Sequence, residues 1–342
     1  MGVTIYDIAS EANVSISTVS RVFNEHPRVS EATRKRVFKV AGRLGYRPHA
    51  SAQNLARRCT NLVSAVVPVA TNYFYMEVIR GIQDAVADTA FDLVLYVAPR
   101  PEEVGAQLER ATQRGRGDGL LVLSTPLVGD LLRHVAHARQ PVVLVDAFHE
   151  GYDSIQVDNE RGGYAATRHL IEAGRERIAH ITVAPEPVPA RQRREGYERA
   201  LREAGRDVDP ALIAGSGRRP YGFVEEAGYE AMQTLLTRGA PDAVFVASDV
   251  QALGALRALE EAGLRVPDDV AVVGFDGIAL SGYAGLTTLQ QPMYEMGRAA
   301  VEKLLGRMAA PDRPVSHTLF STHLVVRRSS QAPAPPDGPA SA

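Results

Sequence analysis

From Leu62 onward, short apolar runs recur at spacings that leave room for a helix between them. They read LVSAVVP (62–68), FDLVLYV (91–97), GLLVLS (119–124) and PVVLVD (141–146), then RIAHITV (177–183), AVFVAS (243–248) and VAVVGFD (270–276). Runs of this length with no polar alternation predict strands buried on both faces, and the helical stretches between them predict parallel α/β sheets with ligands at the strand C-termini. Two such sets predict two lobes.

The first 44 residues follow a different rhythm. Ile5, Ile8, Ala9 and Ala12 fall on one face of a helix from about Ile5 to Ala12, started by Thr4 as cap and by Asp7, whose charge suits a helix N-terminus. Asn13 stands where the chain must turn sharply, a position that favours a residue tolerant of left-handed backbone. Ser15 then caps a second helix, about Ile16 to Phe23, that buries Val19 and Val22 and leaves Ile16, Ser17, Thr18 and Arg21 outward. The order Ala9, Asn13, Val19 is helix-turn-helix spacing. A third helix, capped by Ser30 and running to about Leu44, carries Arg34, Lys35 and Arg36.

Length and charge sharpen this division. A chain of 342 residues is long enough for two or three compact units. Residues 1–58 hold ten Lys and Arg against four acids, a net of +6, while the remainder carries −8. A basic head on an acidic body is the distribution expected of a nucleic-acid-binding module joined to a domain with another task. No leader-like segment opens the chain and no apolar run approaches the ~20 residues of a membrane span, which predicts a cytoplasmic protein without membrane contact. A single cysteine, Cys59, excludes an internal disulfide or a multi-cysteine zinc site.

VTIYDIASEANVSISTVSRVFN (3–24), VSEATRKRV (29–37) and LGYRPHASAQNLAR (44–57) together resemble the DNA-binding head and hinge of the lactose-repressor (LacI/GalR-type) family of bacterial transcription regulators. The resemblance implies that the second helix enters the major groove with Ile16, Ser17 and Arg21 at base-selecting positions; Arg21 suits guanine O6/N7 and Ile16 a thymine methyl. Thr4, Tyr6, Ser15, Thr18, Ser20, Asn24 and Ser30 match positions that hold phosphates and so set register. Residues 50–57 are too few to be a stable helix alone. In the family they form a paired minor-groove helix, with Leu55 as the apolar wedge beside Asn54 and Ala56.

The rest of the chain resembles the same family's periplasmic-binding-protein-like effector domain. The expected architecture is thus α/β: an all-α helix-turn-helix head (1–48), a hinge helix and linker (49–60), and a two-lobed body with parallel sheets (61–328) for effector binding and dimerisation. Its N-lobe spans about 61–158 and 292–321, its C-lobe about 162–289, and a disordered Pro/Ala-rich tail (329–342) follows. Arg193 and Asp276 match the residues that clamp ligand hydroxyls, Phe223 an aromatic that stacks on the ligand, and Ser248, Asp146, Ser124, Tyr73 and Phe74 positions near the cleft. Ser248, Gly277 and Tyr73 depart from the residues frequent there (Asn, Asp and Pro), which leaves the effector's identity open.

No catalytic pattern competes with this. RGRGDG (114–119) lacks the Gly-Lys-Ser/Thr ending of a phosphate loop, no G-x-S-x-G turn occurs, and His134 and His137 have no third ligand beside them, so neither enzyme, cofactor nor metal site is expected. The resemblance implies a homodimer on near-palindromic operator DNA, without leucine heptads for tetramers, responding to a sugar or sugar phosphate. A purine-type effector is the alternative, and a solute-binding protein a remote one. Whether the ligand induces or co-represses stays open.

Overall fold

A computed structural model describes residues 3–23, 26–46, 59–70, 72–184, 187–216 and 222–331. The head is three helices: α1 (Ile5–Glu11), α2 (Ile16–Phe23) and α3 (Glu31–Leu44). Asp7 accepts from both the Thr4 amide and the Thr4 hydroxyl at 2.7 Å, and these two donors hold its carboxyl below the ordinary range. Asn13 turns the chain at φ 48°, the Ser15 hydroxyl accepts from the Thr18 amide, and Gly45 ends α3 at φ 66°. Ile8, Ala9, Ala12, Val19, Val22, Phe23, Val37, Val40 and Ala41 form the head's core.

The body contains two six-stranded sheets. The first joins β1 (Leu62–Val67), β2 (Asp92–Val97), β3 (Gly119–Leu123), β4 (Val142–Val145), β5 (Asp153–Val157) and β11 (His317–Phe320) in the order β11-β5-β4-β3-β1-β2, every pair parallel. The second joins β6 (Ile178–Val183), β7 (Ile213–Ser216), β8 (Ala243–Val246), β9 (Ala271–Asp276), β10 (Thr287–Gln290) and β12 (His323–Val325) in the order β12-β10-β9-β8-β6-β7. Here, at the edge of a sheet that is otherwise parallel, as expected, β12 lies antiparallel to β10. The reason is the last crossing. β11 ends at the cleft and the chain steps through residues 321–322 straight into the other lobe, so β12 enters the second sheet from its cleft end, where the other strands finish. The chain also crosses at residue 158 and at residues 291–292.

The helices are α4 (Tyr73–Ala87), α5 (Val104–Thr112), α6 (Gly129–Ala136), α7 (Asn159–Glu172), α8 (Val188–Glu203), α9 (Glu225–Thr237), α10 (Asp249–Glu261), α11 (Ala279–Tyr283) and α12 (Met293–Ala309). Three pairs of them touch backbone to backbone, each through one glycine per helix: Gly81 with Gly297, Gly163 with Gly196, and Gly228 with Gly254. A methyl group at any of these six would sit on a carbonyl oxygen of the partner helix, far inside van der Waals contact.

Two anchors bear on function. The linker enters the N-lobe with the Thr60 and Asn61 amides donating to the Asp118 carboxylate at 2.7–2.9 Å. At the other end, Ser329 and Ser330 are buried: the Ser329 hydroxyl donates to the Val272 carbonyl and accepts from the Thr287 amide, and Ser330 meets Thr287 and His169. The disordered tail expected from Ser329 therefore does not begin there, because these two hydroxyls find buried partners; residues 332–342 lie outside the described residues.

Candidate functional site

Two surfaces carry the predicted chemistry. On the head, α2 is amphipathic: Val19 and Val22 are fully buried while Ile16, Ser17 and Arg21 are exposed on the opposite side. Ser15 Oγ lies 2.8 Å from both Ser17 Oγ and Thr18 Oγ1, so the serine and threonine at the start of α2 form one hydroxyl cluster. Tyr6 projects from α1, Thr4 is engaged with Asp7, and the Ser30 hydroxyl accepts from the Thr33 amide. Ser20 is half-buried on α2. Asn24, Asn54, Leu55 and Ala56 lie outside the described residues. Within the basic run, Arg34 turns inward and donates to the Val22 and His26 carbonyls, bracing the end of α2. Its neighbours Lys35 and Arg36 stay exposed.

The second surface is the cleft between the lobes, where the C-terminal ends of both sheets meet. Among the described residues five non-glycines have positive φ, and three stand here: Ser124 (43°) after β3, Asp146 (54°) after β4 and Asp276 (125°) ending β9. Such backbone is costly for residues with a Cβ and gathers at binding sites, where the surroundings hold it. Ser124 donates to Asp146 Oδ2 at 2.7 Å. Across from them, Arg193 of α8 is buried with Nε on Asn159 Oδ1 (2.9 Å), Nη1 on the Ala247 carbonyl (2.5 Å) and Nη1 3.6 Å from Asp276 Oδ1. Its guanidinium lies 3.7 Å from the Phe275 ring centre and 6.0 Å from that of Phe223.

Behind Asp276 stands a residue the sequence did not single out. Asp249, at the first turn of α10, is fully buried and accepts from the Gly277 amide (2.8 Å), the Ile278 amide (3.0 Å) and the Thr288 hydroxyl (2.6 Å). It fixes the turn that aims Asp276, while Gln291 Nε2 donates to Asp276 Oδ1 at 2.7 Å. Burial pushes both carboxyls up, and for Asp249 the neighbouring Asp276 charge adds to it; Arg193 opposes the rise at Asp276. Burial likewise draws Arg193 down while Asp276, Asp146 and Asp249 hold its charge in place.

The structure thus brings together Arg193, Asp276, Asp146, Ser124 and Phe223. Ser248 adjoins them, but its hydroxyl is committed to capping α10 through Gln251. Tyr73 is 39% exposed at the start of α4, and Phe74 packs on the N-lobe core together with Val250, Ile278 and Leu280 of the C-lobe. The neighbouring Tyr75 acts electrostatically on Arg193 and was missed from sequence. Asn159, Gln291 and Asp249 were missed as well. Asn72, the cap of α4, reaches across to the Phe223 carbonyl (3.4 Å) and ties the lobes at the cleft mouth.

A cavity of about 790 Å³ opens at the opposite end of the N-lobe strands between Asn61, Tyr152, Asp153 and Arg307. None of the predicted effector residues lines it; of its two acids, Asp118 is spent on the Thr60 and Asn61 amides, and Asp153 on Arg307, Arg313 and Ser316 in fastening β11 to β5. Among the described residues no three His, Cys, Asp or Glu gather as a metal site, and no helix is long and apolar enough to cross a membrane.

Residues 4–49 match the family model of bacterial regulatory proteins, lacI family, and residues 167–330 that of a periplasmic binding protein-like domain. The catabolite control protein A of Priestia megaterium is 34% identical, over 89% of this chain and 92% of its own. Among solved structures, the transcriptional regulator CelR in complex with cellobiose is 33% identical, covers 96% of this chain and 99% of its own, and superposes with a TM-score of 0.72. The lac repressor dimer bound to operator and the anti-inducer ONPF is 27% identical, covers 97% and 100%, and reaches 0.83. With a helix-turn-helix head, a two-lobed body and this breadth of similarity, the chain belongs to the lacI family of bacterial regulatory proteins.

Proposed function

We propose that the protein is a cytoplasmic repressor of carbohydrate-utilisation genes that binds a near-palindromic operator as a homodimer and answers to a small sugar or sugar phosphate. Membership of a family of DNA-binding regulators supports the class of function, and binding rather than turnover is its chemistry. One observation carries the effector reading: Arg193 and Asp276 of one lobe face Asp146 and Ser124 of the other, offering donors and acceptors to one molecule held between them. Hydroxyl groups, which both donate and accept, suit that set. Phe223 suits the apolar face of a sugar ring, and would stack on a purine equally well, which keeps a purine-type effector as the second reading.

On the head, Ile16, Ser17 and Arg21 read base edges and Thr4, Tyr6, Ser15, Thr18, Ser20, Asn24 and Ser30 hold phosphates, a reading supported by the exposure of Ile16, Ser17 and Arg21 on α2. Leu55, with Asn54 and Ala56, supplies the minor-groove wedge. One head reads a half-site and two-fold symmetry supplies the other.

The test is a thermal-shift screen of the full chain against mono- and disaccharides, purines and nucleosides, since a ligand of the native state raises its melting temperature. Hits are carried into operator binding by fluorescence anisotropy. A sugar that shifts melting and changes operator affinity upholds the proposal; a response confined to purines replaces the ligand class. Arg21→Ala is expected to cost about 1–3 kcal/mol of operator binding and to relax selection at one base pair per half-site. An unchanged binding profile across operator variants removes Arg21 from base reading.

A further inference from the structure

The cleft gathers more buried carboxyl groups than its role as a hydroxyl clamp requires. Asp146, Asp249 and Asp276 all act on one cation, Arg193, and Arg193 is the charge that acts on Asp146. That guanidinium is largely spent: Nε is on Asn159, Nη1 is on the Ala247 carbonyl and beside Asp276, and one face is covered by Phe275. Only Nη2 is left without a hydrogen-bond partner among the described residues.

Helix N-termini are the other usual place for a phosphate. Of the helices that begin at the cleft, three already have a side chain on their first amides: Asn72 accepts from Phe74 on α4, Asp158 from Arg161 on α7, and Ser248 from Gln251 on α10. The Gly277 and Ile278 amides, which would otherwise be available to an anion, are held by Asp249.

We infer that the cleft takes an uncharged, hydroxyl-bearing ligand and turns away the phosphate ester of the same molecule. The inference rests on the interlobe cleft being the effector site, and it narrows the ligand by charge. A sugar hydroxyl donates to Asp146 or Asp276 and accepts from Arg193 Nη2. A phosphate in the same place brings close to two negative charges beside those carboxyl groups, with one partly engaged guanidinium among the described residues to meet them.

The test is calorimetric titration of the full chain with matched pairs: glucose and glucose 6-phosphate, fructose and fructose 6-phosphate, adenosine and AMP. In every pair with a binder, the uncharged member is expected to bind at least about 100-fold more tightly, since like charges brought together at a binding site cost several kcal/mol. Asp146→Asn should narrow that gap. A phosphate ester that binds as well as its parent overturns the inference while leaving the cleft as the sugar site. Adenosine binding over AMP with no sugar bound upholds the charge rule and removes the sugar reading. A ligand-free measurement guards against an incomplete panel. Asn at 146 still accepts from Ser124, so loss of a surplus charge should leave the melting temperature level or raise it. A clear fall would mean that Asp146 is neutralised by a further cation, and the inference fails.

Discussion

Asp249 shows how the proposed effector cleft depends on a residue set behind its lining. Its two oxygens hold the Gly277 and Ile278 amides and the Thr288 hydroxyl, and so set the backbone at Asp276, which sits at φ 125°. Asp249→Ala removes the oxygen that both the Gly277 and Ile278 amides use, leaving these buried donors unsatisfied at a cost of about 1–3 kcal/mol. The expected result is effector affinity lowered at least about tenfold with operator affinity retained in the absence of effector; equal loss of both would make Asp249 a general stability residue. The same pair predicts a pH signature. Burial raises both carboxyls above their unfolded value of 3.8, so the native state binds more protons than the unfolded chain above that pH. Their contribution is therefore fully present below pH 3.8 and is lost as pH rises through the raised native values. His180 works in the opposite sense: buried between Tyr197 and Phe245, it is drawn down to about 4, so its contribution is present above 6.5 and is lost as pH falls through about 4. Melting of wild type against Asp276→Asn from pH 4 to 8 separates the two. The wild type should lose stability relative to the variant as pH rises, and a constant difference would show that Asp276 does not titrate in that range. Arg193 and Asp276 were legible from their matched positions in ARQRREGY and VVGFDG. Asp249 and Gln291 were not, because they act through backbone amides and burial, which only the folded chain brings together.

At the level of elements, glycine has opposite meanings in two helices. Gly163 lies mid-helix in α7, where a methyl group would strike the Arg193 carbonyl, and its partner Gly196 faces Glu160 in the same way. Gly42, in α3, has open space around it. Gly163→Ala should thus destabilise the body by about 1–3 kcal/mol or more, by forcing α7 and α8 apart, and should shift Arg193 with its helix. Gly42→Ala should stabilise the head by about 0.5–1 kcal/mol, because the unfolded chain loses freedom and no contact is disturbed. Denaturant melts followed by circular dichroism decide both signs, and a stabilising Gly163→Ala would show that the crossing is looser than its geometry implies. From sequence these glycines look alike, each an interruption of a helical pattern, since close approach of two backbones is a pairwise property. Helix α2 was legible in full, because its apolar face, its cap and its Asn13 turn are all local. The direction of β12 was not, since it follows from the end at which the chain enters the second sheet.

For the whole molecule, the decisive feature is that the two halves of the proposed clamp stand on different lobes. Asp146 and Ser124 belong to the sheet whose first strand receives the linker at Thr60 and Asn61, while Arg193 and Asp276 belong to the other. A ligand that contacts both favours one relative placement of the lobes over others, and it shifts operator affinity only as far as its affinities for those placements differ. Coupling is reciprocal, so the factor by which effector changes operator affinity must equal the factor by which operator changes effector affinity. Measuring both by calorimetry and anisotropy, at one fixed salt concentration because operator contacts are salt-dependent, gives the coupling free energy and its sign. The Ser124→Ala, Asp146→Asn double variant removes the N-lobe's share of the clamp and leaves Arg193 and Asp276 in place. It should retain measurable effector binding while the coupling factor falls toward one, since a ligand held by a single lobe no longer distinguishes their arrangements. If coupling survives at full strength as affinity drops, communication runs instead through the apolar cluster that Phe74 shares with Val250, Ile278 and Leu280 of the other lobe, and the clamp serves affinity alone.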